Sequence, residues 1–362
     1  MKSVFDGYTP VTELMGETYF AGANTGLGFR SAYGEDAGED ELLRLYIIKG
    51  SSGSGKSTLM KKIARHMVNA GHELVYYLCG SDPTSLDSIV IDGKVAILDG
   101  TPPHVVEMKY PHVKSEIIDL SKFLNDDRLY TRRDEVVFHT IKKNNAYSLA
   151  YRYLAAAQQV EDGIMADAAE LFDRDKARRF VTRFVDKLRI KNRKERGVAK
   201  HKYTYAISMR GLYRIENSLG GFDVYEVVDS MRCAPILMEI LAFELINKGA
   251  DITLCHTPIS NHIGEIVVPS HHVRIVTSKA ENKIGRINTA RFIKGEVAYP
   301  LHGEIRLGAA VESSCIAAAS MSFRTASEHH FILEDIYSSA MDFTRTETLC
   351  NSVRHDILER LS

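Results

Sequence analysis

Gly50-Ser51-Ser52-Gly53-Ser54-Gly55-Lys56-Ser57-Thr58 stands one residue after the apolar run Leu45-Tyr46-Ile47-Ile48, and its reading decides the fold. The spacing is G-x-x-x-x-G-K-[ST], set between an expected strand and an expected helix. Glycines let the backbone curl until successive N–H groups point inward at phosphate oxygens. In that geometry Lys56 reaches the β- and γ-phosphates, Ser57 ligates Mg²⁺, and the helix start beneath them favours an anion. The candidate nucleotide-binding set is therefore Gly50, Ser51, Ser52, Gly53, Ser54, Gly55, Lys56, Ser57 and Thr58.

The flanking pattern supports this reading. Beyond Ser57, apolar residues recur at Leu59, Met60, Ile63, Ala64, Met67 and Val68, the stripe of an amphipathic helix, and Ala70-Gly71 supplies its stop. A strand follows at Leu74-Val75-Tyr76-Tyr77-Leu78, and another short apolar run at Val95-Ala96-Ile97-Leu98.

The 362 residues suffice for two cored domains or one large one. Forty-six basic residues against 47 acidic ones leave a net charge of −1, so no bulk field points to nucleic acid or an anionic membrane. No stretch approaches the length of a membrane span, and Met1-Lys2-Ser3-Val4-Phe5-Asp6 lacks the apolar core of a signal peptide. Cys79, Cys233, Cys255, Cys315 and Cys350 form no C-x-x-C, which fits reduced thiols and predicts a cytoplasmic location.

A search for internal repeats divides the chain in two. Sliding it by 178 positions sets Leu59, Met60, Ile63 and Ala64 on Leu237, Met238, Leu241 and Ala242, and Gly71 on Gly249. Leu74, Val90, Val95 and Ile97 fall on Ile252, Val268, Val273 and Ile275, and an offset larger by one sets Tyr46 on Tyr225. A weaker echo places Ala155-Ala156-Ala157 opposite Ala317-Ala318-Ala319. The expected fold is α/β, a P-loop NTPase of two tandem units, 1–195 and 200–362, with helical additions. The second unit's loop, Asp229-Ser230-Met231-Arg232-Cys233-Ala234-Pro235, is degenerate: it has no glycine, and Ala234 replaces Lys56. One nucleotide site is expected, in the first half.

Beyond that loop, Asp99 ends an apolar run and is the candidate Mg²⁺-side carboxylate, aligned with Thr277 in the degenerate half. His104, in Gly100-Thr101-Pro102-Pro103-His104, is a candidate for polarising a phosphate or positioning water, or a loop histidine holding backbone. Asp82 and Asp87 read as an Asx-turn and a helix cap, with an acceptor-side base as the alternative. Ser115 to Leu188 reads as a helical appendage, in which Arg128, Arg132 and Arg133 form either a solvated face or a lid. The basic run Lys187 to Arg196 reads as a solvated helix end and linker. The histidines show no zinc spacing, so the only metal expected is nucleotide-bound Mg²⁺ on Ser57 and Asp99.

Phe20-Ala21-Gly22-Ala23-Asn24-Thr25-Gly26, the glycine-rich loop, Ser81-Asp82-Pro83 with Leu86-Asp87, and Asp99-Gly100-Thr101 with Pro103-His104 together resemble a Firmicute-type family of tandem P-loop ATPase-like proteins of unknown function. Glu334-Asp335-Ile336-Tyr337 and Met341-Asp342-Phe343 share the resemblance, which spans nearly the whole chain. It implies the fold and nucleotide binding. Its second half often carries its own phosphate loop, and this chain departs from that at Ala234-Pro235.

These readings predict a Mg²⁺-dependent ATPase with Lys56, Asp99 and His104 as candidate catalytic residues, ATP as the nucleotide, and an unidentified protein or small acceptor as further partner. The alternatives are a small-molecule or nucleotide kinase and a nucleotide-gated interaction module. No membrane or nucleic-acid partner is expected.

Overall fold

The computed structural model describes residues 9–11, 14, 16–33, 38–102, 105–190, 193–215, 221–280 and 282–362. His104 therefore lies outside the described residues. The first half holds β1 (Thr9–Val11), β2 (Glu17–Phe20), β3 (Gly22–Thr25), β4 (Gly28–Ser31), β5 (Arg44–Lys49) and α1 (Lys56–Asn69). It continues through β6 (Leu74–Leu78), β7 (Leu86–Ile91), β8 (Val95–Asp99), β9 (Ser115–Asp119), α2 (Asp126–Tyr130), α3 (Arg133–Leu171) and α4 (Arg174–Lys187). The second holds β10 (Ala199–Tyr203), β11 (Tyr205–Ser208), β12 (Gly211–Ile215), β13 (Asp223–Val228) and α5 (Ala234–Asn247). After them come β14 (Ile252–His256), β15 (Ile263–Val268), β16 (Val273–Val276), β17 (Lys283–Asn288), α6 (Gly295–Ser339) and α7 (Phe343–Leu361).

The chain is α/β, built on one mixed 12-stranded sheet of order β17-β13-β16-β15-β14-β10-β2-β6-β7-β8-β5-β9. Read outward from its centre, β2-β6-β7-β8-β5-β9 and β10-β14-β15-β16-β13-β17 are the same arrangement, joined back to back where Tyr203 pairs antiparallel with Phe20. Registers agree as well: Tyr46 lies opposite Ile97, and Tyr225 opposite Ile275. The strand-and-helix matches of the sequence repeat thus correspond to equivalent places in the sheet.

Two sequence expectations need correction. Residues 115–119, expected to be helical, form β9, because Ile117 and Ile118 pair in register with Ile47 and Ile48 at the edge of the sheet. The alanine echo is out of register. The end of β9 caps a 3-10 turn through Asp119, and Asn288 does the same after β17; Asp173 caps α4 and Asp342 caps α7. Both pairs give an offset of 169, so Ala157 matches Ala326, and both are fully buried. An alanine-rich helix matches itself at many spacings, which is why the triplets mislead.

The long helices exchange. α3 and α6 lie antiparallel: Asn125 N–H donates to Ala340 O (2.9 Å) at one end, and Lys294 N–H to Leu171 O (2.9 Å) at the other. As a result α4 packs with α5 in the second half's core, through Ala177, Val181 and Val185. α7 packs into the first half's core, through Cys350, Val353 and Ile357. Each half is closed by the other half's last helix.

Candidate functional site

The glycine-rich loop leaves the carboxyl end of β5 and enters α1 through Gly55, whose φ of +89° is a left-handed conformation suited to glycine. Gly53 is also left-handed, at +74°, and a Cβ there would collide with the Glu334 carbonyl of α6. Local chain demand and a neighbouring helix together specify this residue. No side chain caps the α1 N-terminus and its first turn holds no acid, so its N–H groups remain directed into the loop.

Lys56 Nζ donates to the carbonyls of Gly50 and Ser51, at 2.9 Å each, and sits 3.6 Å from Asp99 Oδ2. Asp99 ends β8, the parallel neighbour of β5, so both stand at the strand carboxyl ends, where open α/β sheets bind ligands. Asp99 Oδ1 accepts from Thr101 N–H (2.8 Å) and hydroxyl (2.6 Å), which leaves Oδ2 facing the lysine. Burial pushes the Asp99 carboxyl up, and Lys56 and Thr101 pull it back only in part. Ser57 Oγ accepts from Leu86 N–H at 2.9 Å. Ser51 Oγ is buried without a hydrogen-bond partner, and the Thr58 side chain is exposed.

The structure brings further residues to this mouth that the sequence reading missed. Lys143 of α3 has its ammonium pKa lowered first by burial and then by the charge of Lys56. His330 of α6 contacts the Ser52 hydroxyl at 3.3 Å. Arg210, from the β11–β12 turn, donates from Nε to Asp82 Oδ1 at 2.7 Å and stacks on Phe331 with its guanidinium 5.1 Å from the ring centre. The C-terminal motif residues lie here too: Glu334 on Gly53, and the Phe343 ring 3.4 Å from where a Gly55 Cβ would stand. That motif was a usable signal, because its distance in sequence from the loop demanded a reason.

Asp82 makes the expected Asx-turn, accepting from Thr84 N–H at 3.1 Å, and Arg210 and Thr84 hold its carboxyl below the usual range against burial. Asp87 caps no helix: it is a buried residue of β7. Arg128 donates to Ser339 O and Arg132 pairs with the exposed Glu135, a solvated face. All five cysteines are free. Phe20 to Gly26 is structural, with Asn24 Nδ2 donating to Ile207 O (2.8 Å) across the two halves.

The degenerate loop is arranged differently. Asp229 stands where Gly50 stands, and its Oδ1 accepts from Ala234 N–H at 2.9 Å. The Cys233 and Ser230 N–H groups face the same carboxyl. Its own carboxylate thus fills the inward ring of donors. Arg232 is tied to Glu312.

A comparison with known proteins returned no matching family model, no matching curated protein and no matching solved structure. Among the described residues, no helix is long and apolar enough to cross a membrane.

His330 has a measurable consequence. Burial first, then Lys143 and Lys56, push its pKa down to about 4, against 6.5 for an ordinary imidazole. Between those values the unfolded chain binds the proton and the folded one does not. This histidine's contribution is therefore complete above pH 6.5, and stability falls as pH drops toward 4. Allowing for its partial exposure, the cost is about 2 kcal/mol. Urea unfolding of His330→Gln should lose that much less stability between pH 7 and pH 4.5 than the wild type; an equal loss in both would show that His330 protonates freely.

Proposed function

We propose that the chain is a P-loop NTPase that binds Mg²⁺·ATP at Gly50–Thr58 and hydrolyses it, with a nucleotide-free second half. The observation that carries this reading is the contrast between two equivalent helix starts. At α1 the N-terminal donors are uncapped, beside Lys56 and a buried unpartnered Ser51 hydroxyl. At α5 the equivalent donors are turned onto Asp229.

The donor set fits a nucleotide. The backbone of residues 50–55 and Lys56 would hold the β- and γ-phosphates, and Lys143 would add a second cation to the same anion. Ser57 and Asp99, a hydroxyl and a carboxylate, suit the hard oxygen preference of Mg²⁺. Bound Mg²⁺ supplies charge neutralisation on the transferring phosphoryl group. On the protein side, Arg210, held by Asp82 and close enough to His330 to depress its pKa, would supply positive charge opposite the developing negative charge.

Asp82, the alternative acceptor base, is engaged by Thr84 and Arg210, which favours water over an organic acceptor. The contact between Gly53 and Glu334 gives nucleotide state a mechanical route into α6, which also suits a nucleotide-gated module. Turnover of γ-labelled ATP with Mg²⁺, with and without a pool of nucleosides and sugars, tests the reading. Label released as inorganic phosphate without acceptor is expected. Label moving into an acceptor would replace the ATPase with a kinase, and binding without release would leave the gated module.

A further inference from the structure

The offset of 169 that relates α3 to α6 carries more than packing. It sets Lys143 opposite Glu312 and His330 opposite Glu161, while the loop alignment sets Lys56 opposite Ala234, Gly50 opposite Asp229 and Asp99 opposite Thr277. Where the first mouth sets a lysine and a histidine, the equivalent place in the second sets two glutamates.

That place is a cleft lined by Glu161, Met165, Asp229, Arg232, His262 and Thr277 among others. Two of the carboxylates are spoken for: Glu312 pairs with Arg232, and Asp229 with backbone N–H groups. Glu161 is not. It is 7% exposed, its Oε2 has no hydrogen-bond partner, and His262 Nε2, likewise without a hydrogen bond, stands 3.7 Å from its Oε1. Burying a carboxylate oxygen without a donor is costly, so the arrangement calls for one.

We propose that this cleft binds a small organic cation, an alkylammonium or guanidinium compound, whose N–H groups donate to Glu161. A phosphate is excluded by Asp229, which already fills the donor ring. A divalent metal is disfavoured because no three His, Cys, Asp or Glu residues are grouped to hold one among the described residues. Ile164, Met165 and Pro235 on the cleft wall suit the methylene stem of such a ligand. Glu312, pushed up to about 7 by burial, lends the cleft further negative charge as pH rises.

The test is calorimetric titration of the full chain with agmatine and with putrescine, and with 1,4-butanediol as the neutral analogue. The inference does not depend on nucleotide binding, so Lys56→Ala serves as a control. At least one cation should bind once per chain while butanediol does not, and Glu161→Gln should weaken it about 10- to 100-fold. Lys56→Ala should leave it unchanged. Met165→Trp, which fills the cleft without altering charge, should also block it and guards against a folding defect in Glu161→Gln. No binding by either cation, equal binding of butanediol, or affinity untouched by both cleft variants would overturn the proposal.

Discussion

Lys56→Ala is expected to lower ATP turnover about 10²- to 10³-fold while leaving the fold intact. Two losses coincide in that variant. The Nζ that spans the Gly50 and Ser51 carbonyls is the cation at the centre of the loop. It is also the main charge holding Asp99 ionised against burial. Without it the Asp99 carboxyl rises further, so the second proposed metal ligand is protonated over a wider pH range. Lys143 cannot substitute, because it approaches from α3 and is itself disfavoured as a cation by burial. Lys56→Arg should not rescue activity, since the larger planar guanidinium does not fit the place of the compact ammonium held between the two carbonyls. Phosphate release measured beside urea unfolding checks this: activity within about threefold of the wild type would remove Lys56 from the chemistry.

Ile357→Ala should destabilise the chain by about 2–5 kcal/mol, although only five residues follow it and it is far in sequence from the core it fills. Ile357 is 0% exposed and belongs to the cluster of Tyr46, Met60 and Ile63. Its helix is fastened there by Asp356, which accepts from the Tyr46 hydroxyl and, at 2.9 Å, from Arg360 Nε. A cavity at this point opens beneath β5, the strand that carries the glycine-rich loop, so nucleotide affinity should fall together with stability. The neighbouring Leu358→Ala, on a 37% exposed residue, should stay within about 0.5 kcal/mol. A loss below 1 kcal/mol for Ile357→Ala would contradict the exchanged docking of α7.

The local architecture was legible because its signals are local. The spacing Leu59, Met60, Ile63, Ala64, Met67 gives α1 as observed, and Leu74–Leu78 is β6 to the residue. Apolar matches at one offset exposed the repeat because α1 and α5 bury the same face. The remainder fails for a physical reason. A second offset begins after β8, where the connection to β9 is longer than that from β16 to β17, and no periodicity signals a change in loop length. Without it, Lys143 could not be matched to Glu312 or His330 to Glu161. Helix exchange then brings α6 to a loop some 280 residues earlier, and contacts of that range leave no local pattern. Asp87, read as a helix cap, fails for a related reason: a polar residue in a strand buried on both faces breaks no visible alternation until its neighbours are known.

The proposed function requires one nucleotide site per chain, at the first loop. Titration of the wild-type chain with Mg²⁺·ATP measures it most directly, beside Lys56→Ala and Asp229→Gly. One ATP per chain is expected, lost in Lys56→Ala and still one in Asp229→Gly, because removing the plug restores no lysine at Ala234. Two ATP per chain, or binding that survives Lys56→Ala unchanged, would contradict it.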